Sequence, residues 1–353
     1  ASVLLSAIFF LLQPALSSFA LTVEDLTGTT VAPADDPGWA SMTTGGRSAV
    51  YLGDSWVLSV RHISLGTLIF EGGTFDPISS QQWIIPNPTS WGGTMLSAQS
   101  DLRLYRIDGD LGTPDLTIAS TSLVAGDDVV MIADSYDRAE NLSTWYVNKL
   151  ANPWTWQETP GTGLVQYNGY KRSTETTKRW GTNQVNGPNA DVLAAYGIYN
   201  WNGVIEVSTD IDIVAQMTIF DENGDPHETH AQAGDSGGAV FHQRDGNWEL
   251  TGILHTIYPY PGQSAAYSVY GNATFFSDLA VYRDSILDII TAHPEYSIIG
   301  DLDLDGDIDG DDLGDFVAGW GTDEAEHNIE TWKRGDLDLD GDTDLTDFAL
   351  LRG

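Results

Sequence analysis

Cysteine is absent from the chain's 353 residues. Its absence excludes disulfides, thiolate metal sites and a cysteine nucleophile. It leaves export open, because a large secreted protein can fold without disulfides. Positive charge is scarce: Lys and Arg number 15 against 51 Asp and Glu, a formal net charge of −36. Such a chain repels phosphate, which argues against nucleic acid and anionic membranes as partners and favours multivalent cations. Long apolar runs are scarce too. The run at residues 3–12, Val-Leu-Leu-Ser-Ala-Ile-Phe-Phe-Leu-Leu, is too short to span a bilayer comfortably. Gln13-Pro14 and the small residues up to Ala20 follow it. This is the pattern of the apolar and cleavage regions of a secretory signal, with cleavage after Ala20 or Ser17. Residues 1–20 are therefore expected to be part of a signal peptide, and the mature protein to be a bacterial one that is secreted or displayed at the cell surface.

What is present supports a large core. Apolar residues make up 41% of the chain, and its length allows two domains, or one large domain and an appendage, at about 100–200 residues each. The charge is unevenly placed. Residues 300–353 carry 15 Asp and 3 Glu against Lys333, Arg334 and Arg352. This shift puts a boundary near Tyr296–Gly300, dividing a domain at 21–297 from a module at 298–353. The larger part is β-rich. Short alternating or β-branched runs at Ser48–Leu52, Ser55–Val60, Thr67–Phe70, Leu102–Ile107, Asp128–Ile132, Gly203–Val207, Ile213–Phe220, Ala239–His242 and Glu249–Leu254 are separated by Gly, Asp, Asn and Pro. Many short strands at this spacing predict a sandwich or barrel. One helix is predicted from Ser277, where Leu279, Tyr282, Ile286, Ile289 and Ile290 recur at helical spacing before Pro294. Region 140–200, rich in Trp, Asn, Gly and Thr, reads only as loops and short strands.

Three segments carry chemistry. Residues 234–238 read Gly-Asp-Ser-Gly-Gly. A hydroxyl nucleophile needs a base, a group that orients the base, and donors for the developing oxyanion. Glycines beside Ser236 allow a tight turn that leaves N–H groups facing a substrate carbonyl. Upstream, the apolar strand from Trp56 ends in His62, and Asp101 opens the alternating strand that runs to Ile107. Each residue alone has a bland reading: a structural histidine, a turn aspartate, a serine in a glycine turn. Their order, His then Asp then Ser, makes the joint reading a catalytic triad.

Over roughly residues 30–295 these segments resemble the chymotrypsin-like serine peptidase family. Gly234–Gly238 matches that family's nucleophile motif at every position, and Val57–His62 and Asp101–Ile107 resemble its histidine and aspartate strands. The resemblance implies two six-stranded antiparallel β-barrels closed by a C-terminal helix. It also implies a peptide or protein substrate, His62 as base, Asp101 as its orienting partner, Ser236 as nucleophile, and backbone N–H groups of Gly234 and Ser236 as the oxyanion hole. Val60 and Arg61 stand where the family has small residues. No counterpart is visible of the buried new N-terminus that usually meets the aspartate before the nucleophile, here Asp235. An insertion is expected within 140–200. His230 and His255 fall where the resemblance places the base and wall of the specificity pocket, which would favour an acidic residue if both imidazoles face it; otherwise they are surface or supporting histidines. Glu228 reads equally well as a solvated charge. A rival expectation is an inactive peptidase fold that serves as a secreted binding or assembly protein.

The acidic end holds a second pattern twice. Asp301, Asp303, Asp305, Gly306, Asp307, Asp309 and Asp312 occupy positions 1, 3, 5, 6, 7, 9 and 12 of a loop. Asp336, Asp338, Asp340, Gly341, Asp342, Asp344 and Asp347 repeat it 35 residues later. Alternate carboxylates around a sharp glycine turn converge on one Ca²⁺ each, as in an EF-hand loop, with position 7 giving its backbone carbonyl. A solvated acidic tail would not show spacing, glycine and repeat together. Helical stretches, Asp312–Trp320 and Asp347–Leu351, follow the loops. Residues 299–353 resemble a type I dockerin, which implies two Ca²⁺ and docking onto a cohesin-like scaffold partner.

Overall fold

The computed structural model describes residues 21–186, 203–208, 211–222, 224–293, 300, 302, 310–322, 334–337 and 341–351. The expected signal segment and the loop residues Asp301, Asp303, Asp305, Asp307, Asp309, Asp338 and Asp340 lie outside them. The alternating apolar runs pair locally into an N-terminal sheet. It contains β1 (Val50–Gly53), β2 (Trp56–Val60), β3 (Pro77–Pro86) and β4 (Gln99–Ile107), in the antiparallel order β1-β2-β4-β3. Asp54 and Ser55 join the first two strands with φ of 45° and 61°. Positive φ at both central residues is what a two-residue hairpin needs to match strand twist.

The second half builds a ten-stranded sheet. Its strands are β5 (Asp128–Arg138), β6 (Ser143–Asn148), β7 (Thr155–Gln157), β8 (Val165–Gln184), β9 (Val204–Ser208), β10 (Ile211–Ile219), β11 (Ala239–Arg244), β12 (Asn247–Tyr258), β13 (Tyr267–Val269) and β14 (Ala273–Ser277). The order is β7-β6-β8-β5-β11-β12-β14-β10-β9, with β13 also on β8. The 20-residue β8 occupies the region that reads from sequence as loops and short strands. Two of its cations are buried and partnered rather than solvated. Buried Lys178 donates to the Met42 carbonyl at 3.0 Å and lies 4.4 Å over the Trp39 ring, and Arg179 makes a two-point bridge to Asp137.

The predicted helix forms as α1 (Leu279–Ala292), with Leu279, Tyr282 and Ile286 buried. It ties the two sheets together. Tyr282 Oη accepts the Val214 N–H at 2.8 Å and donates to Asn87 Oδ1 at 2.7 Å. Arg106 of β4 donates to the carbonyl of His293 at the helix end. Between the sheets, Trp56, Leu58, Leu102 and Leu104 share a core with Ile132, Phe241, Ile253 and Phe275. Each such side chain contributes about 1.5–3 kcal/mol when fully buried. The expected class, mainly β with a C-terminal helix, is the one the chain adopts. In the acidic region, α2 (Gly310–Gly319) and α3 (Leu345–Leu351) form where helices are expected. Leu302, Phe316 and Leu337 make a small core there with Leu350 and Leu351. Among the described residues no helix is long and apolar enough to cross a membrane.

Candidate active site

The β2–β4 register pairs Val60 with Leu102. The next residues, Arg61 and Asp101, therefore face each other, and the Arg61 N–H donates to the Asp101 carbonyl at 2.8 Å. His62 turns over this junction. Its N–H donates to Asp101 Oδ1 at 3.0 Å, and its Nδ1 lies 2.5 Å from Asp101 Oδ2. An ionised carboxylate only accepts, so Nδ1 carries the proton and Nε2 keeps its lone pair for use as a base. Arg103 of β4 fixes the turn from the other side, donating to the carbonyls of Arg61 and Ile63, which flank His62. Asp101 is wholly buried. Burial alone pushes its pKa up, but hydrogen bonds from His255 and His62 outweigh it and hold the carboxyl well below the usual carboxylate range.

The C-terminal sheet supplies the nucleophile loop. Gly237 donates to the Leu254 carbonyl and Gly238 accepts from the Leu254 N–H, which stitches residues 234–238 onto β12. Gly237 has φ of +93°, and a Cβ there would lie 2.1 Å from the Ser48 carbonyl oxygen. Only glycine lets the loop approach the backbone at Ser48 this closely. Asp235 is buried, and its Oδ2 accepts the Gln232 N–H at 2.5 Å. Gln232 in turn donates to Thr22 Oγ1, in the strand Thr22–Val23 that pairs with Thr229–His230. Ser236 Oγ donates to the His255 carbonyl at 3.1 Å. Among the described hydrogen bonds, neither the Gly234 N–H nor the Ser236 N–H is engaged by another protein group. His62, Gly234, Ser236 and His255 line one cavity of about 510 Å³. A larger one, about 950 Å³, lies elsewhere among Asp128, Asn183, Asp225 and Glu228, and none of the triad residues lines it.

The two pocket histidines part company. His255 lines the catalytic cavity, although its side chain has no exposed surface. His230 does not line it. Its imidazole is buried, with Nδ1 2.8 Å from Thr274 Oγ1, and burial pushes its pKa down to about 3. Glu228 is not a solvated charge: it is buried, accepts the Asp221 N–H, and burial pushes its carboxyl up to about 8. Sequence reading missed Arg103 and the bond from His255 to Asp101. The only signal for the first was a cation two residues beyond the aspartate on the same strand.

In the acidic region, carboxylate oxygens of Asp342, Asp344 and Asp347 lie within 4.8 Å of one another. The two position-12 aspartates behave alike: Asp312 accepts the Leu302 N–H at 2.5 Å and Asp347 the Leu337 N–H at 2.6 Å. The Gly341 N–H donates to Asp336 Oδ1 at 3.3 Å, closing the second loop on its first residue. Convergent carboxylates, with Asp347 buried and Asp342 and Asp344 exposed, fit a hard cation with oxygen ligands.

No protein-family model matches the chain, and no curated protein matches it. Among solved structures it is similar to neuropsin, a serine protease expressed in the limbic system of mouse brain, at 16% identity. That match covers 75% of this chain and 99% of that one, with a TM-score of 0.43. A kallikrein-related peptidase 10 complex with Zn²⁺ is similar at 14% identity, covering 74% of this chain and 100% of the other, with a TM-score of 0.42. Likeness at these values says nothing of activity, which the site geometry alone must support.

Proposed function

We propose that the chain is an exported serine endopeptidase with a calcium-binding module for docking or surface assembly. The observation that carries the first part is the His62–Asp101 pair set across one cavity from Ser236, with two backbone N–H groups unengaged beside it. In the reaction, Ser236 Oγ leaves the His255 carbonyl and donates to His62 Nε2. His62 takes the proton as Oγ bonds to the peptide carbonyl carbon. The Gly234 and Ser236 N–H groups receive the negative charge that develops on the carbonyl oxygen. His62 then gives the proton to the leaving amine, and a water activated in the same way releases the acyl group. Asp101 stays ionised and stabilises the imidazolium formed in each half-reaction.

The second part rests on the repeated position-12 bonds and the convergent Asp342, Asp344 and Asp347. Two Ca²⁺ would be held by Asp301, Asp303, Asp305, Asp307 and Asp312, and by Asp336, Asp338, Asp340, Asp342 and Asp347. A bound Ca²⁺ neutralises carboxylates that otherwise repel one another. Leu313, Val317, Trp320, Leu345 and Phe348 keep large exposed apolar surface on α2, just beyond it and on α3, which suits docking onto a cohesin-like scaffold.

A second reading is an inactive peptidase fold used for binding, favoured by the Ser236 hydroxyl pointing to the His255 carbonyl rather than to His62. Hydrolysis of a protein substrate that Ser236→Ala abolishes without loss of folding supports the enzyme. Undiminished hydrolysis in that variant would overturn the triad, and absence of hydrolysis in the parent would favour the second reading.

A further inference from the structure

Asp101 Oδ2 is shared by two imidazoles. His62 Nδ1 lies 2.5 Å from it and His255 Nδ1 2.9 Å, with the two rings 6.5 Å apart. His255 reaches this place because its strand is irregular. Where β12 pairs with β14, the register shifts between Leu254 and Thr256, leaving His255 as the odd residue. A bulge of this kind re-aims a side chain that regular pleating would send elsewhere. The same residue's carbonyl accepts the Ser236 hydroxyl. One bulged position therefore touches both the nucleophile and the aspartate.

We propose that His255 is a positioning residue for the triad: a neutral imidazole whose Nδ1–H pins the catalytic aspartate from the C-terminal sheet while His62 holds it from the N-terminal sheet. The inference rests on the triad reading above. The chemistry follows from the acceptor. With Oδ2 ionised, both Nδ1 atoms must carry protons. Burial disfavours a charge on His255, against the pull of Asp101, and keeps its pKa below the ordinary value. The aspartate thus receives three donors, the His62 N–H, the His62 Nδ1–H and the His255 Nδ1–H, but only one partner that titrates in the reaction. His255 Nε2 is buried without a hydrogen-bond partner among the described residues. With Nδ1 protonated it is a lone-pair acceptor, which cannot donate to a carboxylate. The side chain has no exposed surface. Both facts set His255 apart from a residue that selects acidic substrates.

Two variants and one spectrum test this in the full chain. Asn places an amide N–H near the position of Nδ1, whereas Leu keeps bulk without a donor. His255→Leu should lower kcat by about 10–100-fold, the worth of a hydrogen bond to a charged group, with KM nearly unchanged. Losing a donor leaves Asp101 more basic, so the acid limb of kcat/KM should move up. His255→Asn should recover most of kcat and return the limb. ¹⁵N-histidine NMR of the parent reads the same claim without activity: His255 should be the Nδ1–H tautomer and should gain a second proton only below the ordinary imidazole range. The seven histidines can be assigned one by one. An Nε2–H tautomer, equal rates in the Leu and Asn variants, or a Glu or Asp cleavage preference lost in His255→Asn would each overturn the proposal. A parent that neither hydrolyses peptides nor labels at Ser236 would instead refute the triad reading, with the NMR result still deciding the His255–Asp101 bond.

Discussion

Replacing Gly237 with Ala tests where the nucleophile loop sits. Gly237 has φ of +93°, and a Cβ there would lie 2.1 Å from the Ser48 carbonyl oxygen and 2.7 Å from Ser59 Oγ. Two costs add. Forcing an L-residue into left-handed backbone costs about 1–2 kcal/mol. Pressing a methyl group into a filled site costs about 1–3 kcal/mol more, and the obstacle here is a backbone carbonyl that cannot swing aside. A total of about 2–5 kcal/mol corresponds to a Tm lowered by roughly 4–20 °C, at about 2–4 °C per kcal/mol for a domain of this size. Gly246 is the control. Its φ is +82°, but nothing lies within 4 Å of a Cβ there, so Gly246→Ala should show the backbone cost alone. Calorimetry of both variants at one calcium concentration reads the difference. If Gly237→Ala melts no lower than Gly246→Ala, the loop does not lie against Ser48 and Ser59.

Other outcomes follow from the same contacts. Asp101→Asn should keep the fold and lower kcat by about 10⁴-fold, because the amide no longer enforces the Nδ1–H tautomer of His62; steady-state kinetics showing a loss of less than tenfold would contradict the role of Asp101. Glu228 has a folded pKa of about 8 against an ordinary 4.5. The folded chain binds the extra proton in that window, so Glu228 makes stability fall as pH rises from 4.5 to 8. Glu228→Gln should flatten the Tm profile there and melt higher above pH 8, and a profile parallel to the parent's would show that burial does not govern this group. Calorimetric titration of the full chain should find two Ca²⁺, and Asp312→Ala and Asp347→Ala should each remove one. Full stoichiometry in both variants would exclude these aspartates as ligands.

Local chemistry was legible in the sequence, and long-range partnering was not. The His62 and Asp101 strands could be read from alternation, and their register then dictates the contact between the two residues. The helix from Leu279 was legible because three apolar residues at helical spacing face the core. The strand Val165–Gln184 was not, because sequence patterning treats Lys178 and Arg179 as solvent-facing. Trp39, Met42 and Asp137, which partner them, are distant in the chain. The position of His255 was recognised but its partner was not. A bulge aims it at Asp101, and a bulge is a property of pairing between two strands, which no single segment encodes. The sequence left Glu228 open between a solvated charge and another role; its burial and the bond it accepts from the Asp221 N–H show only in the fold.

The central claim is that Ser236 is a nucleophile activated by His62. Reaction of the folded parent with a fluorophosphonate probe, followed by peptide mass mapping, tests it most directly. The account predicts one label per chain, on Ser236, absent in Ser236→Ala and slowed by orders of magnitude in His62→Ala. A folded parent that takes no label, or takes it on another residue, would contradict the account.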